Sequence, residues 1–291
     1  MSPLPVVFIL ISCFTHAAWN LLARRRRQEL AFFRRMLLMT VPGALALIGG
    51  GLLLPHSFPA RVWLCVVPSG IICGLYFWFL GLAYGSSDFT VVYPVARALP
   101  VLIVAGIDVL RSHYPTSIGW LAMGMVAGGC VLAPQRSYSD LNLRHYTSRA
   151  ILWMLLTAGT IVGFTMLDKI AAETVQRGPG SAALYCGIWH IFACATYVVL
   201  GAAFGRGERR EETVGWGMPL GAALLGLASY TLVLWAFQLS PHTGYLVAFR
   251  QFSIVIGVAA AFRFYGEQGL TVRLSATAAI VAGLVMLVLW G

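Results

Sequence analysis

Two arginines, Arg97 and Arg250, stand about eight residues inside apolar stretches of this 291-residue chain. An arginine at the centre of a membrane helix costs about 2.5–3.5 kcal/mol to insert, so each needs a hydrated cavity or a partner. One reading is structural, with the guanidinium groups pairing with Asp88, with Asp168 or with helix-end carbonyls. The other is a clamp, because arginine presents a planar fork of N–H groups suited to a carboxylate or a phosphate. On a helix through residue 97, Tyr93, Arg97, Pro100 and Val104 share a face. Tyr93 thus adds a hydroxyl one turn from the charge, and Pro94 and Pro100 loosen the backbone. Around the second arginine, Ser253 and Gly257 share its face, with Tyr245 and Gln251 flanking it. A second polar set, Ser12, His16, Trp19 and Asn20, recurs at helical spacing near the N-terminus. Polar residues inside a membrane usually face the bundle interior. His16, whose imidazole titrates near physiological pH, is therefore a candidate both for hydrogen bonding and for proton coupling.

The elements that position these residues follow from composition. Hydrophobic residues make up 59% of the chain and charged residues 10%, against roughly 45–50% and about 25% in soluble domains. With a mean hydropathy of +0.81, the expected class is an all-α integral membrane protein. Ten apolar stretches are predicted as helices, near 4–22, 36–54, 62–84, 89–110, 117–133, 150–168, 183–204, 214–239, 243–264 and 271–290. A spanning backbone must satisfy its own hydrogen bonds, which leaves α-helix for spans of this length. The first stretch lacks the basic flank and small-residue cleavage site of a secretory signal.

The longest polar connection divides the chain into a first five-helix repeat, 1–133, a connecting loop, 134–149, and a second five-helix repeat, 150–291. Shifting by 153 positions aligns Ala83, Ser87, Thr90, Arg97 and Ile103 with Ala236, Ser240, Thr243, Arg250 and Ile256. A shift of 148 pairs Ser12 with Thr160 and Asn20 with Asp168. Five helices per half is an odd number, so the halves are expected in opposite orientations, an arrangement of secondary transporters with the substrate near the midplane.

Several segments resemble the EamA-like family of the drug/metabolite transporter superfamily. His16 to Arg27, HAAWNLLARRRR, is similar to that family's HAxWNxxxK opening. Asp88 to Leu102 and Gly244 to Gly257 are similar to its fourth and ninth helices, and Phe264 to Gln268 to the Gly-Glu that follows the ninth. The resemblance implies a ten-helix, two-repeat transporter moving small metabolites by alternating access. The chain departs from the pattern after the fourth helix, where Arg111 and Ser112 replace a Gly-Glu. Small cation-extruding relatives use an acid in the first helix; none stands here, which disfavours a cationic substrate.

Other signals carry less. Cys186, His190 and Cys194 lie on one helix face, but two turns separate the outer pair by roughly 11–12 Å, too far for one ion. No metal and no cofactor are expected. Asp168 and Lys169 read as residues near a helix end reaching headgroups. Gly70–Gly74, Gly124–Gly128 and Gly217–Gly221 have the spacing of close helix packing. No HExxH or GxSxG motif supports an enzyme, and no nucleotide-binding motif supplies energy. Despite the net charge of +10, so apolar a chain has too little water-facing surface for a nucleic-acid groove. Fourteen of the 20 Lys and Arg fall in connections after odd-numbered helices and four after even-numbered ones, which puts both termini outside the cytoplasm; the family resemblance implies termini inside. The expectation is a transporter of a small anionic or zwitterionic metabolite in a bacterial inner membrane, monomer or homodimer, with a flippase of a lipid-linked phosphorylated substrate as the alternative.

Overall fold

The computed structural model describes residues 3–24, 29–110, 116–133, 135, 137–138, 149–204, 215–239, 250, 252–266 and 269–290. Ten helices occur among them: α1 Pro3–Arg24, α2 Glu29–Leu53, α3 Ala60–Ser86, α4 Phe89–Leu110, α5 Ser117–Leu132, α6 Arg149–Thr174, α7 Pro179–Phe204, α8 Gly217–Leu239, α9 Phe252–Tyr265 and α10 Leu270–Trp290. No strand occurs among the described residues. Six helices, α1, α2, α3, α6, α7 and α8, are long and apolar enough to cross a membrane. The protein is membrane-embedded and all-helical.

Helix faces divide by burial. On α1, Leu4, Val7, Ile11 and Phe14 are exposed while Ile9, Ser12, Cys13, His16, Ala17 and Asn20 are buried. The apolar outer row suits lipid, and the inner row carries the polar stripe, the reverse of a water-soluble amphipathic helix. Exposed leucines, valines and tryptophans recur on the other helices, Leu64, Leu121, Leu152, Val199 and Leu224 among them.

Packing joins elements distant in sequence. The main partner of α1 is α8, and that of α6 is α3. The second helix lies on α7 and the fifth on α10; α4 packs on α6 and α9, and α1 also on α9. At Gly70 and Gly74 of α3 an added Cβ would stand 2.8 Å from the carbonyl oxygens of Trp189 and Ala193 on α7, so these glycines permit a close backbone approach. The other two spacings fail that test: nothing lies within 4 Å of a Cβ added at Gly124, Gly128, Gly217 or Gly221.

Two helices differ instructively from the expected bounds. The second begins at Glu29 rather than near 36; Glu29, buried and paired with Arg24 at the end of α1, puts an acid in the first turn, where the helix dipole favours it. The sixth runs to Thr174, six residues past the expected end. Asp168 therefore sits well inside α6, and only Lys169, on the exposed face, is free to reach outward.

Candidate functional site

A cavity opens between the helices, lined by His16 and Trp19 of α1, Met36 of α2, Tyr76 and Phe77 of α3, Arg97 of α4, Ile161 and Phe164 of α6, Trp189 and His190 of α7, Gly226, Ser229 and Tyr230 of α8, and Arg250. Its non-atom space is about 510 Å³, mouth included, which limits an occupant to a small molecule. The walls are mostly aromatic. Trp189 stacks on Tyr230 with ring centroids 4.1 Å apart, and Phe164 meets both edge-on.

Both arginines reach this one cavity. Nε and Nη2 of Arg97 and Nε of Arg250 are buried and have no hydrogen-bond partner among the described residues. The Arg250 Cζ lies 5.9 Å from the centre of the Tyr230 ring, a cation–π contact. Nearby, His16 Nε2 is likewise buried without a partner, and the buried hydroxyls of Tyr93 and Ser253 face each other. An unmet polar atom in a protein interior is costly, and here the unmet set is dominated by donors.

The acids that sequence offered as partners for these arginines are engaged elsewhere. Asp88 bonds Arg273 of α10 at 2.8 Å, and the same guanidinium donates to Thr90 Oγ1 at 2.7 Å. Arg273, counted by sequence among the loop charges, is thus a buried structural residue, 2% exposed. The carboxylate of Asp168 is buried at 1% and accepts from three hydroxyls: Ser69 Oγ at 2.5 Å, Tyr185 OH at 2.7 Å, and Tyr230 OH. Trp189 Nε1 donates to the same Ser69 oxygen at 2.8 Å. The expectation that Asp168 reaches headgroups is corrected: a longer α6 carries it into the core.

Of the nine residues named from sequence, Arg97, Arg250, His16 and Trp19 come together on the cavity wall. Trp19 is 3% exposed, which decides between cavity and interfacial belt in favour of the cavity. Tyr93 stands one layer behind, its ring 6.2 Å from His16 and 4.8 Å from Phe89, and Ser253 is buried beside it on α9. Asn20 does not line the cavity: its amide donates to His16 O at 2.8 Å and its oxygen accepts from Tyr84 OH at 2.8 Å. Tyr245 and Gln251 lie outside the described residues.

The wall also holds Tyr76, Phe77 and Tyr230, which nothing in sequence separates from lipid-facing aromatics, and Ser229 and His190, which spacing alone does not mark as wall residues. Ser229 is found only through α1–α8 packing, where its hydroxyl meets Ser12 Oγ at 2.9 Å. His190 was weighed as a metal ligand with Cys186 and Cys194. In the fold its Nδ1 lies 2.8 Å from Cys186 O and 3.4 Å from Cys186 Sγ, and among the described residues no cluster suited to a metal ion forms.

No family model matches the chain, and no curated protein matches it in sequence. Seventeen solved chains match it in structure. One, a protein of known crystal structure, is 19% identical and superposes with a TM-score of 0.60 over 98% of this chain and 99% of that chain. The likeness is one of fold.

Proposed function

We propose that this chain is a secondary transporter of the EamA-like kind, carrying a small anionic or zwitterionic metabolite across a bacterial inner membrane by alternating access. The observation that carries the proposal is the pair of guanidinium groups on one small cavity, with buried N–H donors unmet and with Asp88 and Asp168 bonded to other groups. A resident anion would satisfy these donors and offset both charges.

Ten spanning helices in two inverted repeats belong to the same proposal. Under the substitution of α1 for α6, α2 for α7, α3 for α8, α4 for α9 and α5 for α10, the α1–α8 pair maps onto α6–α3. The α4–α6 pair maps onto α9–α1, and α2–α7, α4–α9 and α5–α10 map onto themselves; all are pairs that pack in this fold. The two arginines are then equivalent positions facing each other across the axis.

Polar closures on either side of the cavity support alternation. Along α3, Tyr76 and Phe77 line the cavity, while Ser69 and Tyr84, roughly 22 Å apart at 1.5 Å per residue, lie on opposite sides of it. At the Tyr84 end, Arg24 bonds Glu29 at 2.6 Å and the Tyr84 carbonyl at 2.5 Å, while Tyr265 OH donates to Leu21 O. At the Ser69 end, Asp168 ties α3, α6, α7 and α8 together. The cluster at Tyr84 faces the side richer in positive connections, which the positive-inside rule makes cytoplasmic.

Proteoliposomes loaded against a panel of carboxylates, amino acids, phosphates and phosphonates test the proposal. Wild type is expected to move at least one of them, and Arg97→Ala and Arg250→Ala to lose that flux by tenfold or more. Unchanged flux in both variants ends the clamp.

A further inference from the structure

Asp168 is set in an unusual place for an acid. It is 1% exposed, no arginine or lysine bonds it among the described residues, and it holds three hydroxyl donors rather than a cation. One of those hydroxyls belongs to Tyr230, whose ring forms cavity wall and lies under Arg250. A single side chain therefore touches the buried carboxylate at one end and the guanidinium at its face.

We infer that Asp168 is a proton-binding site linked through Tyr230 to the anion site at Arg97 and Arg250, so that the substrate crosses with a proton. This rests on the anion reading of the clamp.

The charge balance gives the sign. Arg97 and Arg250 bring two positive charges to the cavity, and ionised Asp168, one ring behind it, brings one negative. Protonation removes that negative charge and strengthens attraction for an anion; a bound anion equally favours the proton on Asp168. Hydrogen bonding adds a local route. With Asp168 ionised, Tyr230 donates to Oδ2. When a proton from solvent forms an O–H bond on Oδ2, that oxygen becomes a donor and Tyr230 its acceptor. The phenolic hydrogen of Tyr230 is then released to turn elsewhere, with no other bond made or broken.

Among the described residues the surroundings contain no better counter-charge than Arg250. From α3, Cys65, Cys73 and Tyr76 face this region; from α7, Tyr185, Cys186 and His190; from α8, Tyr230. From α4, Arg97 lines the same cavity, and Arg250 lies beyond the Tyr230 ring. On α6 itself, Lys169 and Glu173 are exposed. His16 shares the cavity with both arginines, so a proton there would add a third positive charge to a positive site, which suits a hydrogen bonder better than a coupling group.

The test uses the purified full chain in detergent and benzenesulfonate, an anion that keeps its charge across the pH range. Titration calorimetry in two buffers of different ionisation heat counts protons taken up on binding. The expected result is uptake of up to one proton per anion by wild type, affinity rising by up to about tenfold per unit fall in pH, and flat, proton-free binding by Asp168→Asn. Wild-type binding without proton uptake, or an unchanged pH dependence in Asp168→Asn, overturns the linkage and leaves the clamp standing. If neither benzenesulfonate nor inorganic phosphate binds wild type, the clamp falls and the linkage with it. Infrared difference spectra of wild type need no variant: anion addition must produce the carbonyl band of a protonated carboxylic acid, and its absence refutes the proposal.

Discussion

Asp88, at the start of α4, holds Arg273 of α10 at 2.8 Å, and among the described residues no acid pairs with Arg97, nine residues on along the same helix. Arg273 is 2% exposed, whereas the Asp88 side chain keeps contact with solvent at 36%. Removing the acid takes the counter-charge from a buried guanidinium that keeps its bond to Thr90, and breaking a buried pair costs about 3–5 kcal/mol; the half-open acid lowers that to about 2 kcal/mol. Asp88→Ala is expected to lower the melting temperature of the detergent-solubilised protein clearly. Anion affinity per folded molecule should stay within about twofold, measured by titration calorimetry. A large loss of affinity at unchanged stability would place Asp88 in the site instead.

The clamp arginines should show the opposite trade. Arg97 is a buried charge with unmet donors and Arg250 a partly buried one, and replacing such a group by an apolar side chain of similar volume is neutral or stabilising, by about 1–4 kcal/mol. Arg97→Met is therefore expected to raise the melting temperature of the ligand-free protein while abolishing anion binding. Anion addition should stabilise wild type and leave Arg97→Met unmoved. A variant that melts lower than wild type without ligand would mean that the guanidinium has a structural partner.

Gly257 faces the ring of Tyr93: a Cβ there would stand 2.6 Å from Cε1 and 2.9 Å from Cδ1. Tyr93 is wedged between Phe89 and His16, so it has little room to give. Gly257→Ala is expected to cost about 1–3 kcal/mol by overpacking and to weaken transport by displacing Tyr93 against the clamp helix. Thermal unfolding and liposome flux measure the two effects, and a double change to Gly257→Ala with Tyr93→Leu should restore much of the stability. Failure of that rescue would point to backbone rather than ring contact.

The contacts of Arg24 with Glu29 and with the Tyr84 carbonyl join the ends of α1, α2 and α3 on one side of the cavity. Glu29→Gln keeps the size of the side chain and removes its charge. If these contacts close the transport path, the variant should exchange substrate faster with affinity changed less than about threefold. Counterflow kinetics in liposomes decide it; slower exchange with weaker binding would make the cluster a support for the site.

Much of this arrangement was legible in the chain because lipid imposes a strong filter. Arg97 and Arg250 stood out since a charge in an apolar run demands an explanation, and His16 and Trp19 because they recur at helical spacing with Ser12 and Asn20. Asp168 was misplaced for an equally physical reason: it stands beside Lys169 near the end of the apolar run, and nothing local shows that Ser69, Tyr185 and Tyr230 converge on it. Tyr76, Phe77 and Trp189 could not be sorted from lipid-facing aromatics, since hydropathy is the same on both faces of such a helix. Arg273 looked like a loop charge because its partner lies 185 residues earlier.

The pairing of α1 with α8 carries a consequence for biogenesis. About 190 residues separate the end of α1 from the start of α8, which at roughly 5–20 residues per second is about 10–40 s of synthesis. Until then Ser12 lacks Ser229, the α8 hydroxyl that meets it, although Tyr84 of α3 and Tyr93 of α4 already stand beside Asn20 and His16. The nascent chain thus passes through a stage in which the α8-facing part of its polar stripe is uncovered, open to whatever insertion partner or chaperone shields polar groups in lipid. Chains truncated before α8 should be degraded, while chains ending after it should persist.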